Sequence, residues 1–260
     1  MSLTEIIVLI VAGIFVGFIN TLSGGGSIIS LTLLLILGLP ANIANGTNRI
    51  SIFFQTFTSV GSFTRQKMFD NLRPVWLSVP ATIGAVLGAY LAGDVNTRVI
   101  EIAMAASMVI MLFFLFYKPG QWMKEKPAML SKPLKWWQYV IFFMVGFYGG
   151  FIQVGVGYFL LMALVLGVGY DLVKANAVKN LIVFFYAIFA LLVFMIDGTV
   201  DYMYGLILSG GSIIGALIAS YLAVKKGSVF IRAIILISVA LTILQITGII
   251  NFTALLKQIL

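Results

Sequence analysis

Residues 83–92 read Ile83-Gly84-Ala85-Val86-Leu87-Gly88-Ala89-Tyr90-Leu91-Ala92, and residues 214–223 read Ile214-Gly215-Ala216-Leu217-Ile218-Ala219-Ser220-Tyr221-Leu222-Ala223. Six of the ten positions are identical, and the other four exchange one small or aliphatic residue for another. The same offset of 131 residues pairs Gly24 with Gly155, Gly26 with Gly157, Gly38 with Gly169, Asp70 with Asp201 and Ala44-Asn45 with Ala175-Asn176. Val16-Gly17-Phe18 matches Val145-Gly146-Phe147 after a slip of two residues. Two apolar strings rich in Gly, Ala and Leu share short matches by chance, but not a constant offset held from the glycines to Ala92 and Ala223. The chain therefore reads as two copies of one unit, residues 1–117 and 136–260, joined by residues 118–135.

Composition says what kind of unit this is. Of 260 residues, 62% are hydrophobic and only 9% charged, and the mean hydropathy is +1.13. Soluble domains carry roughly a quarter charged residues, so a soluble globular enzyme is excluded, and so is a disordered chain. A membrane helix needs about 20 apolar residues, which leaves room for about eight spans. The fold class is an all-α polytopic membrane protein. There are no cysteines and no histidines, which removes thiolate and imidazole metal sites and cysteine nucleophiles. No enzyme, metal or cofactor is expected. The formal charge of +8 is what basic loops flanking spans produce under the positive-inside rule, and it calls for no nucleic acid. Glu5 stands where the basic region of a cleaved leader would be, so the first helix is expected to stay.

Uncharged stretches cover residues 6–48, 50–64, 74–93, 102–117, 136–170, 180–196, 202–224 and 233–256. Residues 6–48 and 136–170 are too long for one straight span and cramped for two. Each is interrupted near its middle, at Ser23-Gly24-Gly25-Gly26 and at Gln153-Val154-Gly155-Val156-Gly157. Short, glycine-interrupted apolar segments at matching places in two halves point to a transporter's binding site.

The linker holds Pro119, Pro127, Pro133 and five lysines. It is assigned to the cytoplasm, with the loop bearing Arg65, Lys67 and Arg73 and the loop bearing Lys225, Lys226 and Arg232. Asp94 and residues 197–201 then lie outside. Asp70 and Asp201 are mates on opposite sides, so the two repeats are expected to be inverted, with residues 136–170 entering and leaving on the cytoplasmic side. Trp76, Trp136 and Trp137 sit at span ends, as an interfacial belt requires.

The glycine breaks can carry chemistry, since helix N-termini starting there offer backbone donors and a partial positive charge to an anion. Ala44-Asn45-Gly46-Thr47-Asn48-Arg49 and Ala175-Asn176-Ala177-Val178-Lys179-Asn180 each place an amide three or four residues before a cation, on one helix face. A cation inside an apolar helix points into a cavity or meets a partner; the alternative is snorkelling to the headgroups. The candidate substrate site comprises Ser23, Gly24, Gly25, Gly26, Ser27, Asn45, Thr47, Asn48, Arg49, Gln153, Gly155, Gly157, Asn176, Lys179 and Asn180. Asp197, Asp201 and Glu101 are the carboxylates open to proton coupling, although Asp197 and Asp201 flank a turn and Glu101 stands near Arg98.

Residues Gly17-Phe18-Ile19-Asn20-Thr21-Leu22-Ser23-Gly24-Gly25-Gly26-Ser27 resemble the first signature of the sulfite exporter TauE/SafE family of membrane permeases. Asn45-Gly46-Thr47-Asn48 falls where that family has its small, Thr-containing stretch. Gly146-Phe147-Tyr148-Gly149-Gly150-Phe151, Gly155-Val156-Gly157-Tyr158 and Ala175-Asn176-Ala177-Val178-Lys179 are similar to its second-half signature. Gln153 departs from it, a glycine being more usual there. The resemblance implies a permease of about eight helices for sulfite, sulfonates or related organosulfur anions in the cytoplasmic (inner) membrane. The expected function is secondary transport by alternating access, with a passive anion channel as the alternative. The partners expected are the anion and the lipid bilayer, with coupled protons and a homo-oligomer left open.

Overall fold

The computed structural model describes residues 1–69, 71–92, 98, 102 and 124–246, with side chains described through residue 240. The expected span at 102–117, Asp70, Asp94 and Glu101 lie outside these residues. The first described helix is α1 (Leu3–Leu22), whose N-terminus is closed by a capping box between Ser2 and Glu5. It continues with α2 (Ser27–Ile36), α3 (Ala41–Arg65) and α4 (Arg73–Tyr90). After the short α5 (Pro127–Leu130) come α6 (Trp136–Phe151) and α7 (Val156–Met162), which runs on as a wider π-turn over Ala163–Val168. The last described elements are α8 (Leu172–Ile196) and α9 (Tyr202–Ile246). No strand occurs among the described residues.

Helices α1, α8 and the 202–240 part of α9 are long and apolar enough to cross a membrane, with hydropathies of 2.3, 2.3 and 1.9. Their outward faces carry large apolar side chains such as Phe15, Leu192, Leu206 and Ile214. In water that surface would cost roughly 25 cal/mol per Å²; in lipid it is the favourable face. Polarity is turned inward. Helix α3 buries Asn45, Asn48, Arg49, Ser51, Gln55 and Ser59, and a Ser51–Ser212 hydrogen bond (2.6 Å) joins it to α9.

Small residues let the helices meet closely. A Cβ at Gly17 would strike the Ser212 carbonyl and one at Gly215 the Ile14 carbonyl, which seals α1 onto α9. Gly84 and Gly88 likewise meet the Phe143 and Phe147 carbonyls, sealing α4 onto α6. Helices α4 and α9 carry the two similar stretches, 83–92 and 214–223, and α6 packs on the first while α1 packs on the second.

Both long uncharged runs break as expected. Helix α1 ends with the Ser23 and Gly24 N–H groups returning to the Ile19 carbonyl, and Gly24 takes φ +88°. Its mate Gly155 takes φ +71°, preceded by Gln153 at φ +67°. Glycine occupies that left-handed region at no steric cost. The second run is a hairpin with its ends together: Gln138 Nε2 donates to the Gly167 carbonyl (2.8 Å), and the Lys126 N–H donates to that of Gly169 (2.8 Å).

The two ends of the bundle differ in charge. Met68, Phe69, Asn71, Glu125, Tyr170 and Lys174 are among the residues that line one cavity of about 260 Å³, where Lys174 and Glu125 form an ion pair of 3.3 Å. Arg73 donates to the Lys132 carbonyl at the same end. At the opposite end Glu5 and Asp201 face Tyr204, and the Asp201 N–H bonds Thr47 Oγ1 (2.8 Å). Asn71 and Asp201 thus mark opposite ends.

One expected loop is absent. Residues 225–232 are helical except at Gly227 (φ 74°, ψ −169°). A single glycine redirects the chain, and Lys225 and Lys226 sit at the helix end before it, where the dipole favours cations.

Candidate functional site

The two glycine breaks, far apart in sequence, cross each other at the centre of the bundle. A Cβ at Gly24 would overlap the Gly157 backbone, and one at Gly157 would overlap Gly24. Residues 23–28 and 152–158 are all buried. Glycine is required here for the close approach itself.

Each crossing helix ends in bare carbonyls, because the last turn of a helix has no internal donors for them. A cation from the opposite repeat supplies the donors. Arg49 is fully buried. It donates from NH1 to the Gly149 carbonyl (2.5 Å) and Gln153 Oε1 (2.9 Å), and from NH2 to the Gly150 carbonyl (2.7 Å) and Asn45 Oδ1 (3.4 Å). The Phe194 ring lies 5.0 Å from its guanidinium carbon. Lys179, 1% exposed, gives Nζ to the carbonyls of Asn20 (2.8 Å) and Thr21 (2.8 Å). Asn180 Nδ2 adds a bond to the Thr21 carbonyl (3.1 Å). Neither cation snorkels. Both are turned inward, and no Asp or Glu is buried among the described residues.

The other candidates separate into groups. Asn45 Nδ2 donates to the Phe151 carbonyl (2.9 Å), so Asn45, Arg49 and Gln153 all hold the second break. Ser27 receives Asn20 Nδ2 (3.2 Å) and gives its N–H to Asn20 Oδ1 (3.1 Å), which caps α2. Asn48 Oδ1 accepts from Ser30 Oγ in the first turns of α2 (2.6 Å). Asn176, Lys179 and Asn180 stand beside the first break. Thr47 is turned away, onto Asp201. Asp197 is exposed at the end of α8, and Asp201 Oδ1 accepts the N–H groups of Met203 and Tyr204 as a helix cap.

Sequence reasoning missed Asn20, Thr21, Tyr158 and Tyr186. Tyr186 Oη donates to Gln153 Oε1 (3.1 Å). Asn20 was legible as an amide at the end of an apolar run, and Tyr158 as the mate of Ser27 at the offset of 131. Tyr186 carried no signal, being an aromatic among aromatics.

Lipid-facing helices around a polar centre of broken helices and buried cations define a membrane transport protein. The chain belongs to the family described as Sulfite exporter TauE/SafE, whose profile matches residues 9–246. It is similar to "Probable membrane transporter protein ORF9" of Sinorhizobium sp, 27% identical over 90% of each chain. It is also similar to "Probable membrane transporter protein YfcA" of Escherichia coli K12, 29% identical over 88% of this chain and 85% of that one. A "Probable membrane transporter protein" of Haemophilus influenzae is 25% identical over 88% and 89%. No solved structure matches the chain.

Proposed function

We propose that this protein is a secondary transporter that moves a small sulfur-containing anion, of the sulfite or sulfonate type, across the cytoplasmic membrane by alternating access. The observation that carries the anion is the pair of buried cations, Arg49 and Lys179, with no buried carboxylate among the described residues. Carbonyl dipoles take up most of their hydrogen bonds but supply no counter-charge in a low-dielectric centre, where an anion is the favourable partner for a cationic side chain. The backbone N–H groups at the start of α2 point to the same chemistry. The family's printed description supports sulfur as the central atom.

Alternating access rests on two inverted repeats, residues 1–117 and 136–260, joined by residues 118–135. In support, mates Gly24 and Gly155, and Gly38 and Gly169, share the left-handed conformation, and Asn71 and Asp201 sit at opposite ends. In this reading, rocking one repeat against the other opens the crossing of the breaks to each side in turn. The cavity at the basic end is the cytoplasmic approach, since its lining reaches Val178, next to Lys179.

The test is flux in proteoliposomes containing the purified protein, with labelled sulfite and a small sulfonate. Accumulation against the anion's own gradient when a proton gradient is imposed supports coupled transport. Flux that only follows the anion's gradient identifies a channel, and flux of neither anion overturns the substrate reading.

A further inference from the structure

The two breaks are related by the duplication but not satisfied alike. At the second break Asn45, Arg49, Gln153 and Tyr186 form one connected network in which only Arg49 Nε lacks a partner, and Tyr148 Oη donates to the Val154 carbonyl (2.8 Å). Around the first break, side chains that are fully buried hold polar atoms without a protein partner: Thr21 Oγ1, Asn48 Nδ2, the Tyr158 hydroxyl and both amide atoms of Asn176. Each is tied to that place. Tyr158 reaches back across the crossing, and its hydroxyl lies where a side chain on Gly25 would go. It stands beside Ser23, whose own hydroxyl is turned onto the Ile19 carbonyl (2.9 Å). Asn48 is held to the first turns of α2 through Ser30. The Asn176 and Thr21 carbonyls share the donor Asn180 Nδ2.

A buried polar group left unpaired is costly, and several together around one element call for an occupant. The unpaired set is rich in donors: two hydroxyls and two amide NH₂ groups, beside the N-terminus of the ten-residue α2. Resting on the small-anion reading above, the geometry points to the first break alone as the anion subsite. There the Tyr158 hydroxyl and the amides of Asn48 and Asn176 bind a compact oxyanion having several acceptor oxygens. The second break is the fixed abutment. Direct contacts come from neutral donors, which leaves Arg49 and Lys179 to act through their field while they cap helices. A spherical halide, which cannot divide its acceptor sites among spread donors, binds more weakly.

The test uses the full-length protein purified in detergent, with sulfite, sulfate and chloride as probes, read by calorimetric titration and by melting temperature. Tyr158→Phe deletes only the hydroxyl. It should weaken sulfite binding about tenfold or more, the loss of one hydrogen bond to a charged group. Because that hydroxyl makes no well-formed hydrogen bond in the protein, with only the Ser23 hydroxyl beside it, the ligand-free melting temperature should change little. Asn176→Leu should behave the same way. Tyr186→Phe, at the second break, should lower the melting temperature and leave the affinity within about twofold, as expected for a neutral bond inside the protein. Unchanged affinity in Tyr158→Phe overturns the assignment, and so does a loss of affinity confined to Tyr186→Phe. Should Asn176→Leu fail to fold, Tyr158→Phe decides alone. Chloride binding as tight as sulfite would overturn the oxyanion geometry. Absence of binding by the parent to every probe would instead overturn the transport reading itself.

Discussion

Replacing Arg49 tests the centre of the molecule most directly. Its guanidinium places three bonds of 2.5, 2.7 and 2.9 Å on Gly149, Gly150 and Gln153. Arg49→Gln removes the charge and shortens the side chain, leaving the last carbonyls of α6 short of donors in a fully buried site. A buried bond to a charged group contributes about 1.5–3 kcal/mol. The upper figure, about 3 kcal/mol, applies because several such bonds are lost together, while Asn45 and Tyr186 remain to hold Phe151 and Gln153. At about 2–4 °C per kcal/mol for a chain near this size, the melting temperature should fall by roughly 6–12 °C. Arg49→Lys should recover about half of that, because an ammonium can span two neighbouring carbonyls, as Lys179 does at 2.8 Å to each. The assay is thermal unfolding of the purified protein in detergent without ligand, followed by sulfite titration. With the field of a full charge gone, Arg49→Gln should also bind sulfite roughly tenfold less tightly. A Gln variant that melts within about 2 °C of the parent would show that the helix end needs no cation, and the reasoning about the break would fail.

Gly25→Leu should reach the membrane but abolish anion flux, because the new side chain meets the Tyr158 ring; normal flux would mean that the crossing serves packing only. Gly17→Leu should destabilise by about 1–3 kcal/mol or prevent folding, since α1 and α9 are in backbone contact there; a parental melting temperature would refute that seal. Single cysteines at Ser131 and Asp197, exposed at opposite ends, should be labelled by an impermeant maleimide from opposite sides of intact vesicles, and labelling from one side would contradict the orientation. Glu125→Gln should change the melting temperature little, because a half-exposed ion pair contributes at most about 1 kcal/mol; a large fall would give Lys174–Glu125 a part in holding the cavity closed.

Much of this was legible in the sequence, and the reason is periodicity. Apolar runs announce helices wherever lipid is the solvent, and glycine in mid-run announces a break, so Gly24 and Gly155 mark both breaks in the sequence itself. Charge asymmetry among loops likewise sorted Arg73 and Lys132 to one end and Asp201 to the other. Helix α3 was harder to read, because its inward polar residues dilute its hydropathy. Pairings across the repeats were not legible at all. Nothing local to Arg49 says that its partners are carbonyls a hundred residues away, and Thr47 matched a family stretch yet faces Asp201. The loop expected at 225–232 failed because charge density was taken as loop length, whereas one left-handed glycine turns the chain.

The offset of 131 also explains why the two breaks differ. It aligns Arg49 with Asn180 and Asn48 with Lys179, so the amide and the cation have traded places between the repeats. The task survives the trade: Arg49 NH2 holds the Gly150 carbonyl and Asn180 Nδ2 holds that of Thr21, its mate after the two-residue slip. The strength does not survive it. A guanidinium presents a rigid fork of five donors, while an ammonium is a compact point charge on a flexible stem. At the second break one Arg therefore locks two carbonyls, Gln153 and Asn45 together. At the first, Lys179 and Asn180 divide the carbonyls between them, and the amide at Asn176, mate of Asn45, is left with nothing to bond. Two breaks of like sequence thus differ: at the second a single guanidinium ties the polar groups into one network with only its Nε unpaired, while the first keeps several spare donors at the same crossing, which is the asymmetry that the proposed anion subsite rests on.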